Sequence, residues 1–162
     1  MLAELLAAVE QSAVADALRL RRWAYPLVSA SHIFGIALLF GAILPLDLRL
    51  LGVWRSVPLN VLARVLVPVA GVGLGMALLT GPLLLSVDPF KYAGLWIFWL
   101  KLLLIAVATV NLLLLHRSTV WREACVSTAL VRTPARQLRL AGLVSALAWS
   151  MVILCGRLIA YF

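Results

Sequence analysis

The sequence LWIFWLKLLLIAVATVNLLLL at residues 95–115 contains one charged residue, Lys101, and is otherwise apolar except for Thr109 and Asn111. A helix rises about 1.5 Å per residue and the hydrocarbon core of a bilayer is about 30 Å thick, so a stretch of this length crosses a membrane once. Three more apolar stretches of similar length occupy residues 23–44, 65–85 and 140–159. The sequence therefore predicts an all-α integral membrane protein, an up-and-down four-helix bundle formed by residues 23–162.

The composition of the chain supports a lipid environment. Of 162 residues, 65% are hydrophobic and 12% are charged, and the mean hydropathy is +1.11. A soluble domain is about half apolar and about a quarter charged. This many apolar side chains cannot all face one small core surrounded by water, which excludes a soluble enzyme and a disordered chain. The net charge of +8 comes from residues that flank the spans, so it does not indicate a nucleic-acid partner.

The first 22 residues predict an amphipathic helix that lies at the membrane surface. Leu5, Leu6 and Val9 recur at helical spacing and oppose Glu4 and Asp16. A helix with one apolar and one charged face binds in the interface between headgroups and acyl chains. We therefore divide the chain into an interfacial helix at residues 1–22 and the four-span domain.

The distribution of Lys and Arg predicts the orientation of the spans. Six of these residues lie on the side that holds both termini, and eight lie on the side of the two longer loops. Cytoplasmic loops carry the excess of Lys and Arg. This predicts a multi-pass protein of the bacterial inner membrane with both termini in the periplasm. Asp47 and Arg49 are assigned to the loop after the first span, because Pro45 is taken as its end.

Three ionisable residues interrupt the apolar runs: His32, Lys101 and Arg157. A charged group at the centre of a bilayer costs about 2.5–3.5 kcal/mol on insertion scales, so each needs a structural or functional reason. By helix rise they lie roughly 7–13 Å inside the same face of the membrane, on three different spans. The sequence thus predicts one polar cluster near the outer face. The alternatives are that Lys101 and Arg157 extend to the headgroups, and that His32 bonds to a neighbouring helix.

The cluster fits a haem b site with His32 as the axial ligand of the iron. Neutral imidazole is a common ligand of haem iron. Ser29 and Gly35 lie about one turn to either side of His32 and leave room for a planar group. Lys101 and Arg157 are the counter-charges for the propionates. His116 is excluded as a second ligand because helix rise places it roughly 18 Å away along the bundle.

The run Trp23-Ala24-Tyr25-Pro26, then His32, then the block Asp47-Leu-Arg-Leu-Leu-Gly52, resembles a family of small bacterial four-helix membrane proteins known only as a domain of unknown function. That resemblance covers about residues 20–160 and implies the topology. The layout is also similar to the haem-binding bacterial protoporphyrinogen oxidases, in which a histidine on the first helix and a lysine on the third are functional. That similarity implies haem binding through His32 and Lys101.

The predicted function is electron transfer, or haem-dependent oxidation of a quinol-like or porphyrin-like hydrophobic molecule near the outer face. One alternative is a non-catalytic subunit or assembly factor of a larger membrane complex, in which Gly71, Gly75 and the basic loop at residues 116–138 make contacts with partners, including further copies of the chain. A second alternative is a small anion or proton transporter. Asn111 is expected to hydrogen-bond across to another helix.

Overall fold

The structure is a computed structural model that describes residues 1–126 and 135–162; Arg132 and Pro134 of the basic loop lie outside the described residues. The described residues form eight α-helices and one short 3₁₀ helix at residues 159–161, and contain no β-strand. The α-helices are α1 (Leu2–Glu10), α2 (Ala13–Leu20), α3 (Ala24–Leu51), α4 (Leu59–Leu85), α5 (Pro89–Ala93), α6 (Trp96–Arg117), α7 (Thr119–Val126) and α8 (Arg136–Leu158).

Four of the described helices are long and apolar enough to cross a membrane: α3, α4, α6 and α8. They coincide with the four predicted spans, which confirms a helical bundle and a multi-pass membrane protein. Consecutive spans run in opposite directions, so both termini lie at one end. We name this the terminal end, which also holds α1, α2 and α5. The opposite end holds α7 and is named the α7 end.

The first span is longer than the sequence predicted. Helix α3 continues through Pro45 and ends at Leu51, where Gly52 adopts a positive φ of 101° and closes the helix. Proline is tolerated inside a spanning helix because neighbouring groups satisfy the freed carbonyl. The assignment of Asp47 and Arg49 to a loop is therefore wrong. Both residues lie on α3, and both are buried.

Glycines set the order in which the spans pack. A Cβ atom at Gly73 of α4 would collide with the backbone at Leu39 of α3, and one at Gly142 of α8 would lie 3.1 Å from the carbonyl oxygen of Asp47. Helix α3 thereby packs closely against both α4 and α8, and α8 packs against α6. In the described residues, α4 and α6 hardly touch one another. The four spans form an open layer in the order α4, α3, α8, α6.

Short helices close the two ends of this layer. At the α7 end, Trp121 is buried in a cluster with Leu50, Leu59 and Leu115, so α7 joins α4 to α6. At the terminal end, α5 packs against α6 and α1. Arg19 of α2 donates two hydrogen bonds to the carbonyl oxygen of Val87, at 2.6 and 3.2 Å, and so fixes α2 to the chain after α4.

The N-terminal segment is two helices and not one. The Ser12 hydroxyl donates to the carbonyl oxygen of Val9 and accepts from the backbone N–H of Ala15, at 2.7 and 3.3 Å. A serine in this position ends one helix and caps the next. Helix α2 packs against α3 and buries Ala15 and Leu18, whereas Leu5 of α1 stays exposed. Part of the predicted apolar face therefore packs against the helical bundle.

Candidate functional site

A cavity of about 430 Å³ lies between α4 and α6 in the half of the bundle nearer the terminal end. Its floor is formed by α3 and α8, and most of its wall is aliphatic or aromatic. We name it the cleft. Its volume falls in the range of about 300–1,000 Å³ that is typical of small-molecule sites. The side chains that carry polar atoms into its lining are His32, Lys91, Tyr92, Lys101 and Trp149.

The His32 ring lies against α4. Its Nδ1 atom is 2.8 Å from the Thr80 hydroxyl oxygen, and Thr80 lies 2.6 Å from the carbonyl oxygen of Met76. A hydroxyl has a single hydrogen. Thr80 donates this hydrogen to Met76, so we assign the hydrogen in the other contact to Nδ1 of His32. This tautomer leaves Nε2 without a hydrogen, and the ring has a further backbone partner at Ala77.

Gly81 leaves the space that the imidazole occupies. A Cβ atom at this position would lie 3.4 Å from Cε1 of His32. This is an ordinary van der Waals distance, so the ring packs directly against α4 at residue 81. Thr80 supplies the hydrogen-bond acceptor that orients His32, and Gly81 supplies a surface on which the ring packs.

Lys101 crosses the cleft from α6 toward α8. Its Nζ lies 3.5 Å from the position of a Cβ atom at Gly156. Lys101 and His32 line the same cavity. Within the described residues, the ion pairs involve Arg19 and the N-terminal amine, and none involves Lys101. The cleft therefore presents an imidazole nitrogen and a cation without an anionic partner in the described chain.

Helix α5 covers the terminal end of the cleft. The Tyr92 ring packs against Phe98 with a centroid separation of 6.1 Å. Burial, followed by the nearby Tyr25 and Asp88, raises the pKa of the Tyr92 phenol. A side-chain hydrogen bond with Tyr25 adds to this shift, so the Tyr92 hydroxyl is neutral and has a partner in Tyr25. Lys91 of the same helix lines the cleft and is exposed at the membrane boundary.

The structure brings together two of the five predicted site residues, His32 and Lys101. Arg157 is exposed, and its guanidinium donates to the Tyr161 hydroxyl at 3.2 Å and lies 5.2 Å from the centre of that ring. In the described structure, Arg157 and Ser29 are not among the residues that line the cleft. Lys91 and Lys101 are the cations of its lining.

Gly35 is placed at a helix contact. A Cβ atom there would lie 2.8 Å from Cβ of Met76 and 3.0 Å from the carbonyl oxygen of Gly73. This glycine allows α3 and α4 to approach one another, and the space beside it is filled by the protein. Its contribution to the cleft is to bring Thr80 of α4 within reach of His32.

Asp47 and Arg49 are buried polar residues that the sequence interpretation missed. Arg49 is 1% exposed and donates from Nε to the carbonyl oxygen of Val57 at 2.7 Å, which holds the connection to α4. Asp47 is 4% exposed, faces the Ser145 hydroxyl, and has no hydrogen-bond partner at Oδ2 in the described structure. The absence of a turn residue between Pro45 and Gly52, followed by a glycine that can end a helix, was the available signal for a continued helix.

Asn111 and His116 have local structural roles at the α7 end. The Asn111 side chain donates to the carbonyl oxygen of Ala141 on α8 at 3.0 Å, which confirms the predicted bond to another helix. The Nδ1 atom of His116 lies 2.9 Å from the carbonyl oxygen of Leu112, and the ring packs against Trp121 at 5.0 Å.

The described residues contain no group of three or more His, Cys, Asp and Glu side chains that could hold a bare metal ion. A single histidine suits a metal whose other ligands are supplied by a larger cofactor. No protein-family model, curated protein or solved structure matches this chain. The geometry of the site is therefore the basis for assigning a function.

Proposed function

We propose that this membrane protein binds a b-type haem in the cleft and serves electron transfer or the oxidation of a hydrophobic molecule. His32 would be the axial ligand through Nε2, and Lys101 would pair with a propionate. The observation that carries the proposal is the hydrogen bond from Nδ1 of His32 to Thr80. Histidines that bind metals donate their other N–H to an oxygen in this way, which fixes the tautomer and the ring orientation.

The residues of the cleft fit such a group. Its apolar wall suits a macrocycle, and its open side allows a flat ligand to extend beyond the enclosed volume. Within the described residues Lys101 has no ion pair, so it offers a cation to a carboxylate, and Lys91 offers another at the membrane boundary. A bound haem would supply one-electron chemistry. The similarity in layout to the haem-binding protoporphyrinogen oxidases supports the same assignment.

An absorption spectrum of the detergent-purified protein tests the proposal. After expression with ample haem, we expect a Soret band that is lost in His32→Ala and retained in His116→Ala. The His116 variant is the matched control because its imidazole lies at the other end of the same bundle. Stoichiometric purification of folded protein without haem, or a Soret band that survives in His32→Ala, would overturn the proposal.

We also propose that the protein lies in the bacterial inner membrane with both termini in the periplasm. The excess of arginine on the side of the α7 end, in and around the connections between spans, supports this orientation. Alkaline phosphatase fused to the C-terminus would then be active. A fluorescent protein fused at the same position, and exported by the same route, would show no fluorescence. The opposite pair of results would reverse the orientation.

A second candidate function, a subunit of a homo-oligomer or larger membrane complex, is favoured by one observation on α4. Added Cβ atoms at Gly71 and Gly75 would meet no other atom within 4 Å, although this spacing usually brings two helices together. The face could therefore accept a helix of another chain. Native mass spectrometry showing oligomers that dissociate in Gly71→Leu/Gly75→Leu would support it. Monomers at every protein concentration would count against it.

A further inference from the structure

We infer that the cleft exchanges molecules with the lipid phase through the gap between α4 and α6, so that its substrate is a membrane-dissolved molecule. The inference rests on the proposed function in treating the cleft as the place of reaction. The route itself follows from how the helices pack and can be tested without haem.

The gap is a consequence of the packing order. Glycines at close approach join α3 to α4 and α3 to α8, and α8 joins α6. Within the described residues, α4 and α6 hardly touch, so the outer helices of the layer leave its concave side open. That concave side is the cleft.

The side chains at the opening lie at membrane depth. Leu78 of α4, Leu102 of α6 and Ile153 of α8 all line the cleft, yet they are 57%, 41% and 37% exposed. Each belongs to a spanning helix, several residues from its end. The surface that these residues expose therefore faces acyl chains and not water.

Packed side chains occupy much of the terminal end of the cleft. Ile97, Cys155 and Ile159 are buried in one cluster, and Tyr92 and Phe98 pack on it. Helix α5 is in turn packed on α1. A water-soluble molecule approaching along the bundle axis would meet this cover.

The other direction along the axis is closed by the middle of the bundle. Leu39, Ile43, Ala108 and Trp149 form a buried cluster with Ala148 and Val152. Trp121 and its neighbours close the α7 end beyond it. These clusters occupy both axial directions in the described structure, whereas the exposed lining residues of α4 and α6 make the lateral gap an opening of the cleft at membrane depth.

The chemistry of the cleft narrows the class of substrate. Of its polar side chains, His32, Lys101 and the α5 pair Lys91 and Tyr92 lie toward the terminal end, and the remaining wall is largely apolar. A molecule with a flat apolar body and a polar end that accepts hydrogen bonds would enter from the bilayer and meet the ammonium groups of Lys91 and Lys101. A quinol-like or porphyrin-like molecule has this form.

Photolabelling in lipid vesicles tests the route. We would irradiate the reconstituted protein with an apolar aryl diazirine, which dissolves in lipid, or with a sulfonated aryl diazirine, which stays in water. Labelled residues are located by mass spectrometry. We expect the apolar reagent to label Ile36 and Phe40 on the cleft floor, with the lipid-facing Phe34 as internal reference, and the sulfonated reagent to leave all three unlabelled.

Paired variants separate the gap from the rest of the lipid-facing surface. In Leu78→Trp/Leu102→Trp, larger rings narrow the opening, and labelling of Ile36 and Phe40 relative to Phe34 should fall several-fold. Leu79→Trp/Leu103→Trp is the matched control, because these neighbours are exposed but do not line the cleft. Each variant is first checked for an unchanged elution profile and helical content.

Three results would overturn the inference: labelling of the floor by the sulfonated reagent, no labelling of the floor by either reagent, or an equal decrease in both Trp pairs. None of these results depends on a Soret band. A colourless protein with a labelled floor would therefore reject haem binding and retain the lateral route. If the protein bound haem but its cleft floor stayed unlabelled after the haem was removed, haem binding would be retained and the lateral route would be rejected.

Discussion

The two halves of the bundle treat buried polar groups in different ways. At the α7 end, Asn111 and Arg49 donate to backbone carbonyls, and Gly142 lets α8 lie directly on α3. In the terminal half, His32 and Lys101 face a cavity, and two spans stay apart. The same apolar helices thus form a tightly packed half and a half with room for a ligand. The comparison shows that glycine placement and helix order, rather than hydrophobicity, decide where a site can exist.

Two glycines of α8 give the strongest test of this comparison. In Gly142→Val the new Cβ would lie 2.9 Å from Cβ of Leu50 and 3.1 Å from the Asp47 carbonyl oxygen, so we expect a loss of about 3 kcal/mol or more, or no folded protein. In Gly156→Val the nearest atom is the flexible end of Lys101 at 3.5 Å, so stability should change by less than about 1 kcal/mol. Thermal denaturation in detergent measures both. Equal losses would remove the distinction between the halves.

Arg49→Met tests whether the α7 end depends on its buried cation. The substitution keeps an unbranched side chain but removes the donor to Val57, and a hydrogen bond to a charged group contributes about 1.5–3 kcal/mol. We expect the free energy of unfolding to fall by about 2 kcal/mol while the Soret band is retained. Arg55→Met is the control, since Arg55 is exposed and donates within its own turn. A similar loss in both variants would contradict the role given to Arg49.

Thr80→Val tests the orientation of His32 in the terminal half. Valine has the shape of threonine without the oxygen that receives Nδ1–H, and loss of such a partner lowers metal affinity by about 10–100-fold. We expect faster transfer of haem to apomyoglobin at nearly unchanged thermal stability, and recovery in Thr80→Ser. If Thr80→Ser released haem as fast as Thr80→Val, the hydroxyl would have no part in holding the ligand.

The smallest effect is expected at Arg157. Because its side chain lies on Tyr161 and outside the cleft lining, Arg157→Gln should leave haem retention unchanged. Lys101→Gln should release haem more readily, since it removes the cation inside the cleft. The two variants are compared in the same transfer assay. A larger effect of Arg157→Gln than of Lys101→Gln would restore Arg157 as the propionate partner.

The four spans could be predicted from hydropathy because their length follows directly from bilayer thickness. The end of α3 could not, because Pro45 and the charges after it are also typical of a loop, and a buried cation becomes favourable only with a tertiary partner such as the Val57 carbonyl. For the site, helix rise predicted a common level for His32 and Lys101, and both residues line the cleft. It could not tell that Arg157 faces outward, because depth leaves the direction of a side chain around the helix axis undetermined.

The sequence by itself determined the environment of this protein, its four crossings and the level of its ionisable residues, since these depend on composition and length alone. The tertiary structure decided which of those residues share a cleft, that Thr80 orients His32, and that α4 and α6 stay apart. These features depend on the close contacts at Gly73, Gly142 and Gly35, where the missing side chains set the distance between helices. The distance between two helices cannot be predicted from the hydrophobic periodicity of either one, because the two helices are far apart in the chain.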